Sequence, residues 1–485
     1  MKSKNDKNIL TGLIWTLVEK AGNIIFQFIT LIWLARLLDP HDFGLYGIIF
    51  IFIAISEMLV DSGLGGAIMR KKDIAEIDYS TLFLFNLVMS IILYLVLFFS
   101  SDCISHFFNQ PIISKLIRIS SIAIIICALN IVQGIKLNKN FKFKTISVIT
   151  LISCFFASFF SILIAYLGYG VWSLVALHIL QILFSSLGYM FVNRYMPSFM
   201  FCLKSFKEQF SFGIFLLLSN LTKTISHNIY ASIIGKTFSV SDTGYYIQAN
   251  KISSVFLNVS VGIIDRTIFP VLSQINNCIE QKRIIVNVSR YASMIVFPIM
   301  LLISLLSKPL VILFIGEKWS DATPLLSILC ISTIFVFLQT LNRNVLKSFG
   351  RSKEIFFIEL FQIVCAMIFI FFTISSIFHI LCGMTFVSLI TAIAYMYFVE
   401  RYIKYSIFNQ IKDILVFIIS AMLPFLLIFF IWNSFVLSNF NSNLLLQIII
   451  IPIIYVFLYI FLLKFFKVKE WNKLEKKINL LNCHR

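Results

Sequence analysis

The sequence predicts an all-α integral membrane protein of about 14 transmembrane helices. They fall into two six-helix lobes around a central cavity, with two further helices at the C-terminus. Three observations lead there: composition, placement of positive charge, and an internal repeat. Of the 485 residues, 59% are hydrophobic and 13% charged, with a mean hydropathy of +0.95. A soluble domain carries about 25% charged residues. Apolar runs of roughly 20 residues, the length that crosses a bilayer as a helix, recur along the whole chain.

In chain order the predicted spans lie roughly at 10–35, 43–66, 79–100, 112–134, 145–166, 170–192, 210–234, 243–271, 285–306, 323–345, 355–376, 379–399, 413–433 and 444–463. The connections are short, the longest being those around 193–209 and 307–322. The first apolar run lacks a short core followed by a small-residue cleavage site, so it is read as an uncleaved span.

The net charge of +18 raises the possibility of a nucleic-acid partner, but its placement argues against one. With the N-terminus inside, the inner loops and tails hold 28 Lys and Arg, the outer loops four (Arg36, Lys236, Lys308 and Lys318), and the spans eight. This is the positive-inside pattern, and it predicts both termini in the cytoplasm. The basic tail, KFFKVKEWNKLEKKINLL, alternates basic and apolar residues at helical spacing. It suits either an inner leaflet of anionic lipid or solvent.

Shifted by 200 residues, the chain overlays itself. Asp42-Phe43-Gly44-Leu45-Tyr46 falls on Asp242-Thr243-Gly244-Tyr245-Tyr246, and Arg36 falls on Lys236. Span 1 carries a polar stripe of Thr16, Lys20, Asn23, Gln27 and Thr30, in steps of three and four. Span 7 carries Asn220, Lys223, His227 and Tyr230 at the same offset. A weaker echo pairs KLIRISSI (115–122) with PLLSILCI (324–331). The predicted organisation is an N-terminal lobe at 1–195 (spans 1–6), a C-terminal lobe at 196–405 (spans 7–12), spans 13 and 14 at 406–466, and a cytoplasmic tail at 467–485. Parallel repeats about an axis along the membrane normal place a transport site between the halves.

Charges within spans are costly and by default suggest function. Lys20, Lys223, Lys251 and Arg118 are the candidate substrate-binding cations, with Asn23, Gln27, Asn220, His227 and Asn258 as polar cavity residues. Together they describe a mildly cationic cavity suited to a phosphate or pyrophosphate head group. Glu19, Glu57 and Asp61 are candidates for ion coupling. For any one of these residues, structural pairing within the bundle is the competing reading. Arg266, Arg290 and Arg343, near inner helix ends, suit snorkelling to the interface.

The stretch Asp39-Pro40-His41-Asp42-Phe43-Gly44 is an outer turn between spans 1 and 2. Asp42 is read as capping the second helix, and Gly44 as permitting close helix contact. No catalytic constellation appears: there is no GxxxxGK[ST], GxSxG or HExxH. The nine cysteines show neither disulfide nor zinc spacing, and no cofactor or metal is implied.

Over nearly its full length the chain resembles the Wzx-type polysaccharide flippases of the multidrug/oligosaccharidyl-lipid/polysaccharide exporter superfamily, especially the branch related to colanic acid export. The resemblance lies in LARLLDPHDFGLYGI (34–48), SGLGGAIMRKKDI (62–74), KLNKNFKFKTIS (136–147), GYGVWSLVALHILQ (168–181), DTGYYIQANKIS (242–253), DRTIFPVLSQ (265–274) and LFIGEKWSDATPLLSIL (313–329). It implies alternating access and a substrate of short oligosaccharide on a polyprenyl diphosphate, moved from the inner to the outer leaflet of the bacterial cytoplasmic membrane. A polysaccharide polymerase and a chain-length regulator are the implied protein partners. Competing classes are a cation-coupled multidrug exporter of the same superfamily and a membrane polymerase or glycosyltransferase. The lysine-rich stripes suit the first poorly, and the short outer loops suit the second poorly.

Overall fold

Why the chain is helical follows from its solvent: within lipid every backbone N–H and C=O must be satisfied internally, which a helix does residue by residue. The computed structural model of the chain describes residues 2–61, 64–70, 74–194, 198–274, 278–435, 444–473 and 475. These form α1 (Lys2–Leu37), α2 (Pro40–Asp61), α3 (Leu64–Arg70), α4 (Glu76–Phe108), α5 (Ile112–Ser120), α6 (Ile122–Lys139), α7 (Phe143–Tyr166), α8 (Trp172–Asn193) and α9 (Leu203–Thr237). Then follow α10 (Val240–Gln274), α11 (Cys278–Leu305), α12 (Ser307–Ile315), a 3-10 turn (Glu317–Trp319), α13 (Ala322–Ser348), α14 (Ser352–Thr373), α15 (Ile377–Ile403), α16 (Ile407–Phe435) and α17 (Leu444–Phe465).

Each of the 14 expected spans coincides with a helix or helix pair. Twelve segments among the described residues are long and apolar enough to cross a membrane. The other two expected spans are α9 and α10, 35 residues each, which carry the polar runs around Lys223 and Lys251. Span 4 divides at Ser121 into α5 and α6. The connection at 307–322 is more ordered than its reading as a loop. It holds α12 and the 3-10 turn, joined by Gly316 at φ +106°, a conformation glycine adopts without steric cost. Trp319, in the same GEKW run, is fully buried.

The surface is apolar where a soluble protein would be polar. Phe99, Phe191, Phe371 and Phe457 stand largely exposed on helix flanks. The interior instead collects small polar residues, among them Ser80, Thr81, Ser90, Ser153 and Ser161. Small side chains let helices approach closely in lipid, and their hydroxyls bond back to helix carbonyls, as Ser90 does to Leu87 O (2.7 Å).

The chain forms two compact units, Met1–Ile247 and Gln248–Arg485. In the first, α1 packs on α7, α7 on α8, α8 on α6 and α6 on α4, while α9 packs on α2, α3 and α4. The N-terminal end of α9 is tied to α4 by the buried Asp78. Its Oδ1 accepts the Ser205 hydroxyl (2.5 Å) and its Oδ2 the Ala75 N–H (3.0 Å), while Gln209 donates to Ser205 Oγ (2.8 Å).

In the second unit α13 packs on α15 and α11, α14 on α15, and α16 on α11 and α17. Two arginines expected to snorkel are instead paired. Arg290 reaches Asp413 (2.6 Å) and Glu470 (2.9 Å), and Arg343 reaches the buried Glu359 (3.0 Å). A partner carboxylate within the fold satisfies the guanidinium more fully than a reach to the interface. In the turn before α16, Tyr405 donates to Asp413 (2.6 Å). Burial, then the bond to Asp413, holds the Tyr405 phenol above its ordinary range.

Candidate functional site

The two turns related by the 200-residue repeat are built alike and pack against each other inside the first unit. Asp39 precedes α2 with Pro40 at its first position, where the missing N–H costs nothing. Asp42 Oδ2 accepts the Asp39 N–H (3.4 Å). At the second turn Asp242 Oδ2 accepts the Ser239 N–H (3.1 Å) and hydroxyl (2.7 Å), and Ser239 Oγ accepts the Asp242 N–H (3.0 Å). These are the reciprocal bonds of a capping box. Asp42 therefore acts from the third helical position and reaches back to the residue before the helix, rather than capping the free first-turn N–H groups directly.

Close contact at Gly44 is borne out. A side chain there would overlap the Val240 carbonyl, and one on Gly244 would overlap the Pro40 carbonyl. Gly47 meets Ile247, and Gly235 meets Ile48 and Thr243. Over these turns Gly168 (φ +84°) and Gly170 (φ +54°) fold the connection between α7 and α8 back, so that Gly170 lies against the Asp42 carboxylate. The Asp39–Asp42 cluster is thus occupied in holding helix ends together.

The predicted site residues fall in several places. On α1, Lys20 and Gln27 are exposed, Asn23 is half-buried, and its buried Oδ1 has no hydrogen-bond partner among the described residues. The end of that stripe is anchored: Thr30 donates to Ser158 Oγ on α7 (2.7 Å). Glu19 is engaged with α7 as well, accepting the Ser147 hydroxyl at Oε2 (3.1 Å). On α9, Asn220 is half-buried and Lys223 exposed. Lys251 is half-buried on α10, beyond the boundary between the units. His227 and Asn258 occupy α9 and α10, with side chains outside the described part, as are residues 474 and 476–485 of the basic tail.

Arg118 lies apart from these stripes, on α5. Its Nη2 pairs with Asp102 (2.7 Å), its Nε donates to Ser101 Oγ (2.9 Å), and its guanidinium stands over the Phe98 ring (4.8 Å). Asp61 ends α2 half-buried. Glu57 is brought together with a residue the sequence did not single out: His178 Nε2 on α8 lies 3.5 Å from Glu57 Oε1. The same histidine packs edge-on to Phe50, one face of α2 below Tyr46. A lone histidine in an apolar helix gives no periodic signal, and only the packing of α2 on α8 reveals its partner.

A family model described as polysaccharide biosynthesis protein matches residues 33–324, more than half of the chain. The chain belongs to this polysaccharide biosynthesis protein family. The match takes in both turns, the Gly168–Gly170 loop and the Gly316–Trp319 run, so the family's region coincides with the pieces that build the helix ends described above.

Similar curated family relatives include the teichuronic acid biosynthesis protein TuaB of Bacillus subtilis, 26% identical over 72% of this chain and 73% of that protein. They include the succinoglycan biosynthesis transport protein ExoT of Rhizobium meliloti, 26% identical over 68% and 67%. The lipopolysaccharide biosynthesis protein WzxC of Escherichia coli is 26% identical over 66% of each chain.

Among solved structures, the lipid II flippase MurJ in an inward closed conformation superposes with a TM-score of 0.71 at 15% identity, covering 94% of this chain and 98% of that one. An inward-facing multidrug resistance transporter of the MATE family gives 0.63 at 16% identity, covering 79% and 94%. At these identities the family member shares their fold. The expected Wzx-type kinship and the all-α membrane fold both agree with these matches, and the relatives carry transport and biosynthesis names rather than enzyme names.

Proposed function

We propose that the protein is a flippase that moves polyprenyl-diphosphate-linked oligosaccharide from the inner to the outer leaflet of the bacterial cytoplasmic membrane, for surface polysaccharide assembly. The observation that carries the reading is a polysaccharide-biosynthesis family match on a chain with a flippase-type membrane fold. In this reading the repeat lobes, 1–195 and 196–405, alternate access to a cavity between them. The exposed Lys20 and Lys223 and the half-buried Lys251 would meet the diphosphate, with Asn23, Gln27 and Asn220 bonding to sugar hydroxyls. An exposed ammonium in a transmembrane helix is costly against lipid, which favours a hydrated surface for the stripes on α1 and α9. Glu57, beside His178, is the best-placed of the proposed coupling residues. Both termini lie in the cytoplasm, by the charge asymmetry.

The test is deletion of the gene in a strain without a redundant flippase, with labelled glycan intermediates. Lipid-linked repeat units should accumulate in the inner leaflet and surface polysaccharide should be lost. Unchanged export would overturn the reading. If the strain instead lost resistance to cationic drugs while exporting polysaccharide normally, the multidrug-exporter alternative would take its place.

A further inference from the structure

A cavity of about 520 Å³ opens at the turn between α4 and α5, away from the lysine stripes. It lies within the span of ~300–1,000 Å³ typical of small-molecule sites. Its lining includes Asp102, His106, Asn109, Gln110, Lys115 and Arg118. The turn is held in shape by its own bonds: Ser105 Oγ donates to Gln110 O (2.9 Å), Gln110 N–H to Ser105 O (3.1 Å), and Asn109 N–H to His106 O (3.2 Å), with Asn109 at φ +55°. Phe108 and Ile113, which flank the turn, belong to the first unit's core with Ile48, Val171 and Val240. The cavity therefore shares the helix ends that carry the Asp39–Asp42 and Ser239–Asp242 turns, the ends the charge asymmetry assigns to the outer side. Lys236 donates to Phe107 O and covers its ring, adding a further cation nearby.

The charges do not cancel. Asp102 has its charge paired with Arg118 at Oδ2 (2.7 Å) and accepts the Ser114 hydroxyl at Oδ1 (2.6 Å), one bond to each oxygen. Lys115 and His106 have no ion-pair partner among the described residues, and both are exposed. The remaining groups are of mixed kind. The side-chain amides of Asn109 and Gln110 each offer donors and an acceptor, and Asp102 keeps lone pairs. A bare oxyanion needs donors only. A sugar ring presents hydroxyls that both donate and accept, and a carboxylate on it would meet Lys115.

We propose that this cavity is a binding site for an acidic monosaccharide residue, such as a hexuronate, separate from the lysine stripes of α1 and α9. Lys115 bonds the carboxylate, and Asn109, Gln110 and Asp102 read the hydroxyls. Binding here does not require that the protein transports anything, so its failure would leave the flippase reading intact.

The test is a ligand-observed NMR titration of the purified full-length protein in detergent with D-glucuronate, methyl glucoside and inorganic phosphate. Glucuronate should bind at least tenfold more tightly than methyl glucoside and more tightly than phosphate. Lys115→Glu and Lys115→Ala should each weaken glucuronate by tenfold or more, while the melting temperature stays that of the parent chain. Three results would each overturn the proposal: no glucuronate binding, binding indifferent to both Lys115 variants, or phosphate binding as tight as glucuronate. The last would mark a simple anion site of the kind a lipid phosphate could fill.

Discussion

Gly44 and Gly244 are exchanged by the repeat: each faces the carbonyl oxygen that stands four residues before the other, Val240 for Gly44 and Pro40 for Gly244. The two turns thus cross with their backbones in contact, and neither crossing leaves room for a Cβ. Gly44→Ala and Gly244→Ala should each destabilise the protein by about 1–3 kcal/mol, the usual cost of overpacking, because the obstructing atoms are backbone and cannot rotate aside. Melting of the purified variants measures this. The double variant should cost clearly less than the sum, since one backbone separation relieves both clashes. Strict additivity would mean that the two contacts are independent.

Lys20→Ala and Lys223→Ala should each reduce polysaccharide export at least tenfold while the protein still inserts and accumulates. Both side chains are exposed on their helices, so their removal leaves the packing of α1 on α7 and of α9 on α2 in place. Export in a complemented deletion strain, normalised to membrane protein level, is the readout. Full export by both variants would return these lysines to a structural role.

Glu57 and His178 should behave as a coupled pair. Glu57→Gln and His178→Gln are each expected to lower export, and the double variant to be no worse than the poorer single one, with a coupling of about 0.5–3 kcal/mol in melting experiments. Independent effects would show that the 3.5 Å approach has no energetic consequence.

Arg290→Ala removes one guanidinium and leaves two carboxylates, Asp413 and Glu470, without the cation they share. Because the arginine is partly exposed, the expected loss is about 1–3 kcal/mol rather than the full cost of orphaning a buried charge. Thermal melting should show it, with Asp413→Asn restoring part of the loss in the Arg290→Ala background.

Trp319→Ala should cost about 3–5 kcal/mol, because the ring is fully buried and leaves a cavity. Gly316→Ala should cost about 1 kcal/mol or more through its positive φ alone, since open space surrounds the position. A calorimetric scan separates the two. An alanine at 316 that changes nothing would deny the strain.

Much of this architecture was legible along the chain because lipid simplifies the rule. Apolar length gave the spans, and polar interruptions every three or four residues gave the stripe ending at Thr30. The recurrence of Asp42–Gly44 as Asp242–Gly244 pointed to a repeat, and the structure brings the two turns into contact, each with its aspartate accepting the N–H three residues back. Charge order is one-dimensional information, so it too could be read without coordinates.

What the tertiary structure alone decided was which polar groups satisfy one another. That Arg118, expected among the cavity cations, pairs with Asp102 and Ser101 of the neighbouring α4 shows only in the packed structure. Arg290 and Arg343 looked free to snorkel until α16, α14 and the segment after α17 brought carboxylates to them. His178 carried no signal until α8 packed beside α2. Periodicity tells which face of a helix is polar. The partner on the next helix depends on register and crossing angle, and those are set by contacts between residues far apart in the chain.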